Sequence, residues 1–260
     1  MAKHLTSKLQ ILLLLLSLSS CGKLREIEQV DSAEITINLT IDESLHSYKG
    51  DMSFNFRNTG SEDLTYAGFY LLPNDVGGTL LVESVISENN KISISVEDSV
   101  LDITFSQAIQ PGENYSIQMA YSGTVPASLT SPGIFVRTAD TIALGSFYPL
   151  PIPINDKGSY TIVRPSDHGD PVESILSSFD VHFQAPEYLR FSASAEVHKE
   201  GRSGDFNKYS VKTGPLRDFY LLGSATWDKV SKVHKGIRIT SWYPKGRMQQ
   251  GIDSLYYIEN

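Results

Sequence analysis

The stretch EITINLTI, residues 34–41, decides the fold class. Ile35, Ile37, Leu39 and Ile41 fall on one side of an extended chain, and Thr36, Asn38 and Thr40 on the other. Side chains alternate with period two only in a strand, so this reads as a sheet with one buried and one wet face. GDMSFNFRN, residues 50–58, repeats the pattern with Met52, Phe54 and Phe56. KISISVEDSVLDITF, residues 91–105, places Ile92, Ile94 and Val96 before a turn near Asp98, then Leu101, Ile103 and Phe105. NYSIQMAYSG adds Tyr115, Ile117, Met119 and Tyr121. Between the runs stand NTGSED, PNDVGG, ISENN and QPGEN, whose residues accept positive φ or set a turn. Strands resume at SSFDVHFQAP (Phe179, Val181, Phe183), RFSASAEVH, NKYSVKTG, DFYLLGSATWDKV and KGIRITSWYP. Such sheets must bury their apolar faces on one another. The expected fold is therefore all-β, a large antiparallel β-sandwich over residues 34–243. Residues 125–160 are less regular, and Pro126, Pro132, Pro149, Pro151 and Pro153 suit loops and edge strands.

The chain has 260 residues, a globular share of hydrophobic residues (40%) and a net charge of -8. Without its first twenty residues, which hold Lys3 and Lys8 and no acid, it is more acidic still. Nucleic-acid partners need clustered Lys and Arg, and no such cluster is present.

The N-terminus carries the most specific local signal. Lys3 and Lys8 precede an apolar run, Ile11–Leu18, too short to span a bilayer comfortably. Residues 1–20 read as a secretory signal peptide. Leu18, Ser19, Ser20 and Cys21 resemble a bacterial lipobox, in which small residues admit the peptidase and the cysteine thiol takes a diacylglyceryl group. Cys21, the single cysteine, is the expected lipidation site, and the alternative is a small apolar residue after a cleaved signal. Without a second cysteine there is no internal disulfide, so stability must come from the core. Several acyl chains would hold the protein on the membrane stably. Gly22, where inner-membrane retention favours Asp, points to the outer membrane of the bacterial envelope if there is one. Residues 21–33 then form a polar tether.

The period changes once, in GRMQQGIDSLYYIEN. Met248, Ile252, Leu255, Tyr256 and Glu259 recur at helical spacing, with Ile252, Leu255 and Tyr256 on one face.

The order of these runs resembles the N-terminal domain of the aminopeptidase N family of zinc metallopeptidases, the gluzincins. The matching stretches are Tyr48–Asn74, Pro111–Val125, Gly145–Pro153, Ser177–Val197 and Arg217–Val230. They include a Tyr-x-Gly strand pair with a following strand that ends in Pro-Asn. They also include a Pro-Gly strand that ends in Tyr-x-Gly, the Phe-Asp-Val strand, and the Asp-Phe strand before the catalytic domain. Each is generic alone, and together they are in family order. The resemblance implies a saddle-shaped β-sandwich ahead of a catalytic domain. Residues 244–260 would begin that helical domain and pack on helices that these residues do not include.

The family's chemistry needs His-Glu-x-x-His and a downstream Glu to hold zinc and activate water. Neither that motif nor the Gly-x-Met-x-Asn substrate strand occurs here, and no two of the six histidines lie three to five residues apart. The family can also lend a Gln or Glu to a peptide amine. The matching DTIALGSFYP has neither. No catalytic residue, cofactor or metal ligand is therefore expected in the sandwich, and zinc only in a catalytic domain or partner chain. The weak candidates are Asp167, His168 and Asp170 in RPSDHGDPVES, which read either as a cation loop or as a polar turn. His182 and His198 read as surface positions. Phe147, Tyr148, Trp242 and Tyr243 read as packing and not as a sugar shelf. No serine sits in a Gly-x-Ser-x-Gly elbow. Two functions remain: a membrane-anchored, non-catalytic module of a metallopeptidase-like lipoprotein, or a cell-envelope lipoprotein that binds or scaffolds through its sandwich.

Overall fold

The computed structural model describes residues 33–88, 90–127, 135–155, 157–160, 162 and 172–259, the backbone alone for 257–259. Cys21, Asp167, His168 and Asp170 lie outside the described residues, as do the signal peptide and almost all of the tether. The first strands are β1 (Ala33–Ile41), β2 (Ser47–Arg57), β3 (Leu64–Tyr70), β4 (Thr79–Ser87), β5 (Ile92–Glu97), β6 (Val100–Ile109) and β7 (Asn114–Thr124). The irregular middle holds β8 (Phe135–Arg137), β9 (Thr141–Gly145) and β10 (Leu150–Pro151). Then come β11 (Ser177–Pro186), β12 (Arg190–Ala193), β13 (His198–Ser203), β14 (Phe206–Leu216), β15 (Tyr220–Ser224), β16 (Trp227–His234) and β17 (Ile237–Pro244). One helix, α1 (Met248–Glu259), closes the described chain.

The strands make a seven-stranded sheet, β13-β14-β11-β1-β2-β7-β4, and two four-stranded sheets, β10-β3-β6-β5 and β12-β15-β9-β8. A two-stranded sheet, β16-β17, stands apart from them. The all-β expectation is met, with one correction: β1 and β11 run parallel. A parallel pair needs a long crossover, and strands β2–β10 provide it.

The alternation of the opening stretch is realised residue by residue. Ile35, Ile37, Leu39 and Ile41 are buried, while Glu34 and Asn38 are exposed. The other sheets cover this inner face. Phe54 meets Phe69 of β3 at 5.4 Å, and Phe183 meets Phe191 of β12 at 4.9 Å. Both are edge-on, the favoured geometry for ring pairs. The resulting core is one continuous cluster that draws on all three large sheets.

Two Tyr-x-Gly motifs lock β2 to β7. In their antiparallel register Tyr48 stands opposite Gly123, and Gly50 opposite Tyr121. A Cβ on Gly123 would lie 2.4 Å from the Tyr48 hydroxyl, and one on Gly50 would lie 2.8 Å from that of Tyr121. Each ring thus fills the space its facing glycine leaves open, which pins the register.

Three details differ from the sequence reading. RFSASAEVH is two strands in different sheets, β12 and β13, and DFYLLGSATWDKV splits at Ala225 and Thr226 into β15 and β16. Period two persists across such a switch and cannot mark it. Ile94 and Val96 share a side with buried Ile103 and Leu101 yet are 52% and 58% exposed, because β5 is an edge strand. Finally, α1 packs on the β16-β17 hairpin. Gly251 of α1 lets the helix approach the Tyr243 ring, and Leu255 is buried. Tyr256, expected beside Ile252 and Leu255, is exposed and lies under the Lys232 ammonium at 5.4 Å. The helix expected to need outside partners thus has a packing surface within the chain.

Candidate functional site

The motifs GSFYP and RDFYLLGS, far apart in sequence, meet at one carboxylate. Asp218 Oδ2 accepts from Ser146 Oγ at 2.6 Å, and its Oδ1 accepts from Tyr148 Oη at 2.8 Å and Phe219 N at 2.7 Å. Ser146 holds a positive φ of 49° to present its hydroxyl, a conformation that costs a non-glycine residue energy. Burial raises the Asp218 carboxyl above its ordinary value, against the pull of these donors. The fully buried Tyr148 hydroxyl is raised too, by burial first and then by the Asp218 charge. No histidine contacts Ser146 among the described residues, and its hydroxyl is engaged by the Asp218 carboxylate. This knot ties the turn after β9 to the turn before β15, which is a structural task.

The outer face of the seven-stranded sheet is the candidate site. It carries a depression of about 530 Å³ lined by Asn38, Lys49, Asp51, His182, Glu200 and Lys208 among others. Strands β1, β2, β11, β14 and the edge strand β13 supply these side chains from their outward positions, the half of each alternation the core does not take. Asp180 holds the floor beside it, with His182 Nε2 at 3.1 Å and Lys212 Nζ at 2.9 Å. The hydrogen bond and charge of Asp180 raise the Lys212 ammonium above its ordinary value. Ser210 Oγ donates to the Glu200 carboxylate on the same face. Acids and bases alternate here, so the face suits a polar, hydrogen-bonding ligand and not a highly charged one.

Zinc does not fit the residues described. It asks for three or more protein ligands at one point. No group of three His, Cys, Asp or Glu side chains converges among the described residues. His182 Nε2 lies 3.1 Å from one Asp180 oxygen, and a lysine takes the other. His182 and His198 are both exposed, as their reading as surface positions expects. Phe147 and Tyr148 are completely buried and Tyr243 nearly so, again as packing residues should be. The depression itself escaped the sequence reading. Its signal was present as the polar half of each alternating strand, but no sequence pattern says which strands lie side by side.

The fold is that of an all-β, multi-sheet module, and it recurs in solved structures. A mutant of the M1 zinc metallopeptidase from Deinococcus radiodurans aligns with a TM-score of 0.55 and 16% identity, over 83% of this chain and 48% of that one. The same enzyme bound to a Tyr-Ser-Ala substrate gives 0.54 and 14%, over 83% and 48%. A two-domain M1 zinc metallopeptidase bound to L-tryptophan gives 0.51 and 14%, over 84% and 52%. At this identity the likeness establishes a shared fold, and the chain spans about half the length of those proteins. No protein-family model matches the chain, and no curated protein matches it.

Proposed function

We propose that the chain is a non-catalytic β module of a metallopeptidase-like lipoprotein, held at the bacterial cell envelope by acyl groups on Cys21. The observation that carries this is the fold it shares with about half of an M1 zinc metallopeptidase. The order of the family-like stretches agrees with it, and so does the absence of His-Glu-x-x-His from the sequence. On this reading the peptidase chemistry belongs to a separate catalytic domain or partner chain, and Gly22 after Cys21 favours the outer membrane.

Two measurements test it. Labelled palmitate should enter the wild-type chain and not Cys21→Ser, which should leave the membrane fraction. The purified chain should retain no stoichiometric zinc after dialysis and should not hydrolyse aminoacyl anilides. Bound zinc with hydrolysis would overturn the non-catalytic assignment.

A second reading is a cell-envelope module that binds or scaffolds by itself. What favours it is α1, whose Leu255 side is covered by the chain's own hairpin. Deletion of residues 246–260 separates the two. On the second reading it uncovers Tyr243 and lowers solubility. On the first, a shorter chain that aggregated less would show that the helix lacks its true partner.

A further inference from the structure

The seven-stranded sheet ends in β13, which carries Lys199, Arg202 and a bulge, and in β4, which carries Glu83 and a bulge. In the four-stranded sheets, β10 ends in Pro151, while β8 and β12 are three and four residues long. The hairpin strands carry Lys229, Lys232 and Arg238. These are the devices by which sheets discourage pairing at an edge. The remaining edge strand, β5, is the least protected: six residues, ISISVE, in unbroken register with β6, without proline, bulge or basic residue, its one charge being Glu97 at the very end. Among the described residues no strand pairs with its outer side. Ile94 and Val96 stand about half exposed along it.

The sequence of this edge is complementary to itself. Let a second β5 run antiparallel with the two-fold axis at Ile94. Ile94 then faces Ile94, Ile92 faces Val96, Ser93 faces Ser95, and Lys91 faces Glu97 twice. Every apolar residue falls on one face, and both ion pairs fall on the other. Glu97 lies close enough to Asp102 of β6 for its charge to act on that carboxyl. A facing Lys91 would relieve this like-charge contact. We propose that β5 is a homotypic docking edge, at which two copies of the chain join their four-stranded sheets into one continuous sheet. The short strand makes this an interface at the small end of the range, suited to reversible association. The inference is independent of the function proposed above.

Oxidative cross-linking of the full chain in the cells that make it tests it, whichever fraction the chain occupies. In the paired arrangement the two Ile94 Cα atoms lie within disulfide reach, so Ile94→Cys should give a covalent dimer at twice the chain mass. Leu81→Cys, as exposed but on the outer face of β4, should not. In detergent, Lys91→Glu or Glu97→Lys alone should weaken association about tenfold, because each faces like charges across the axis. The double swap should restore it. The idea is overturned if Ile94→Cys cross-links no better than Leu81→Cys. It is equally overturned if the double swap is no better than the singles, or if the Ile94→Cys adduct has the mass of a different protein. Ile94 is half exposed, so its replacement leaves the core intact, and circular dichroism confirms the fold of each variant.

Discussion

Tyr48 and Tyr121 are 2% and 1% exposed, and neither hydroxyl finds a hydrogen-bond partner among the described residues. Burial pushes both above the usual tyrosine range. A buried unpaired hydroxyl costs stability, whereas the ring still fills the space over glycine. Tyr121→Phe should therefore be neutral or stabilising by about 1 kcal/mol in chemical denaturation. Gly123→Ala should do the reverse, by about 1–3 kcal/mol, because its Cβ meets Tyr48 on one side and the Thr79 carbonyl on the other. Asp218 makes the opposite case, a buried carboxylate whose two oxygens both accept hydrogen bonds. Asp218→Ala strands Ser146, Tyr148 and Phe219 N and should cost about 2–3 kcal/mol. Asp218→Asn isolates the charge. The folded-state value is raised above 3.8, so the acid's contribution is complete below the unfolded value and is lost as pH rises through the folded one. Relative to wild type, Asp218→Asn should therefore gain stability as pH rises from below 3.8 to neutrality, read from melting midpoints. The Tyr-x-Gly motifs were visible in sequence. Their reciprocal register was not, because it depends on which residue of β7 stands opposite which of β2. Nothing in RDFYLLGS announces that its aspartate serves a serine some seventy positions earlier.

At the scale of the element, hairpin chemistry was the most legible. The turn expected near Asp98 lies at Asp98 and Ser99, both with positive φ, the conformation that joins twisted strands in two residues. Lys235 and Gly236 repeat it between β16 and β17. Helix α1 was legible as a helix, since its spacing is intrinsic. What it packs on was not. Leu255 is 6% exposed and Gly251 abuts Tyr243. Leu255→Ala should lower the local stability of α1 by about 2 kcal/mol, read as faster amide exchange in residues 248–256 while exchange in β1 is unchanged. A Gly251→Leu variant should unseat the helix altogether, with the same signature.

For the whole molecule, the core cluster draws on the three large sheets and includes neither Tyr243 nor Leu255. The hairpin and helix form a satellite tied to the body by Arg190 to Asp228 and by Lys245 to the Ala225 carbonyl. A two-stranded sheet is marginal by itself. Both tryptophans of the chain, Trp227 and Trp242, sit in this hairpin. Tryptophan fluorescence should therefore report a lower unfolding midpoint than far-ultraviolet circular dichroism, which follows the sheets. Coincident midpoints would mean that the satellite and the core unfold together.

The sequence by itself determined the period of every segment: extended, one-faced strands from Glu34 onward, turns where Gly, Pro, Asn and Asp cluster, and a helix after Arg247. Period is a local property, set by the geometry of the chain at each residue. Only the tertiary structure decided that β1 runs parallel to β11, that the two Tyr-x-Gly motifs interlock, and that Ile94 meets solvent where Ile103 beside it meets the core. Those outcomes depend on which distant segment lies alongside. Alternation shows that a strand has an apolar face, but the neighbours that cover it are set by the rest of the fold.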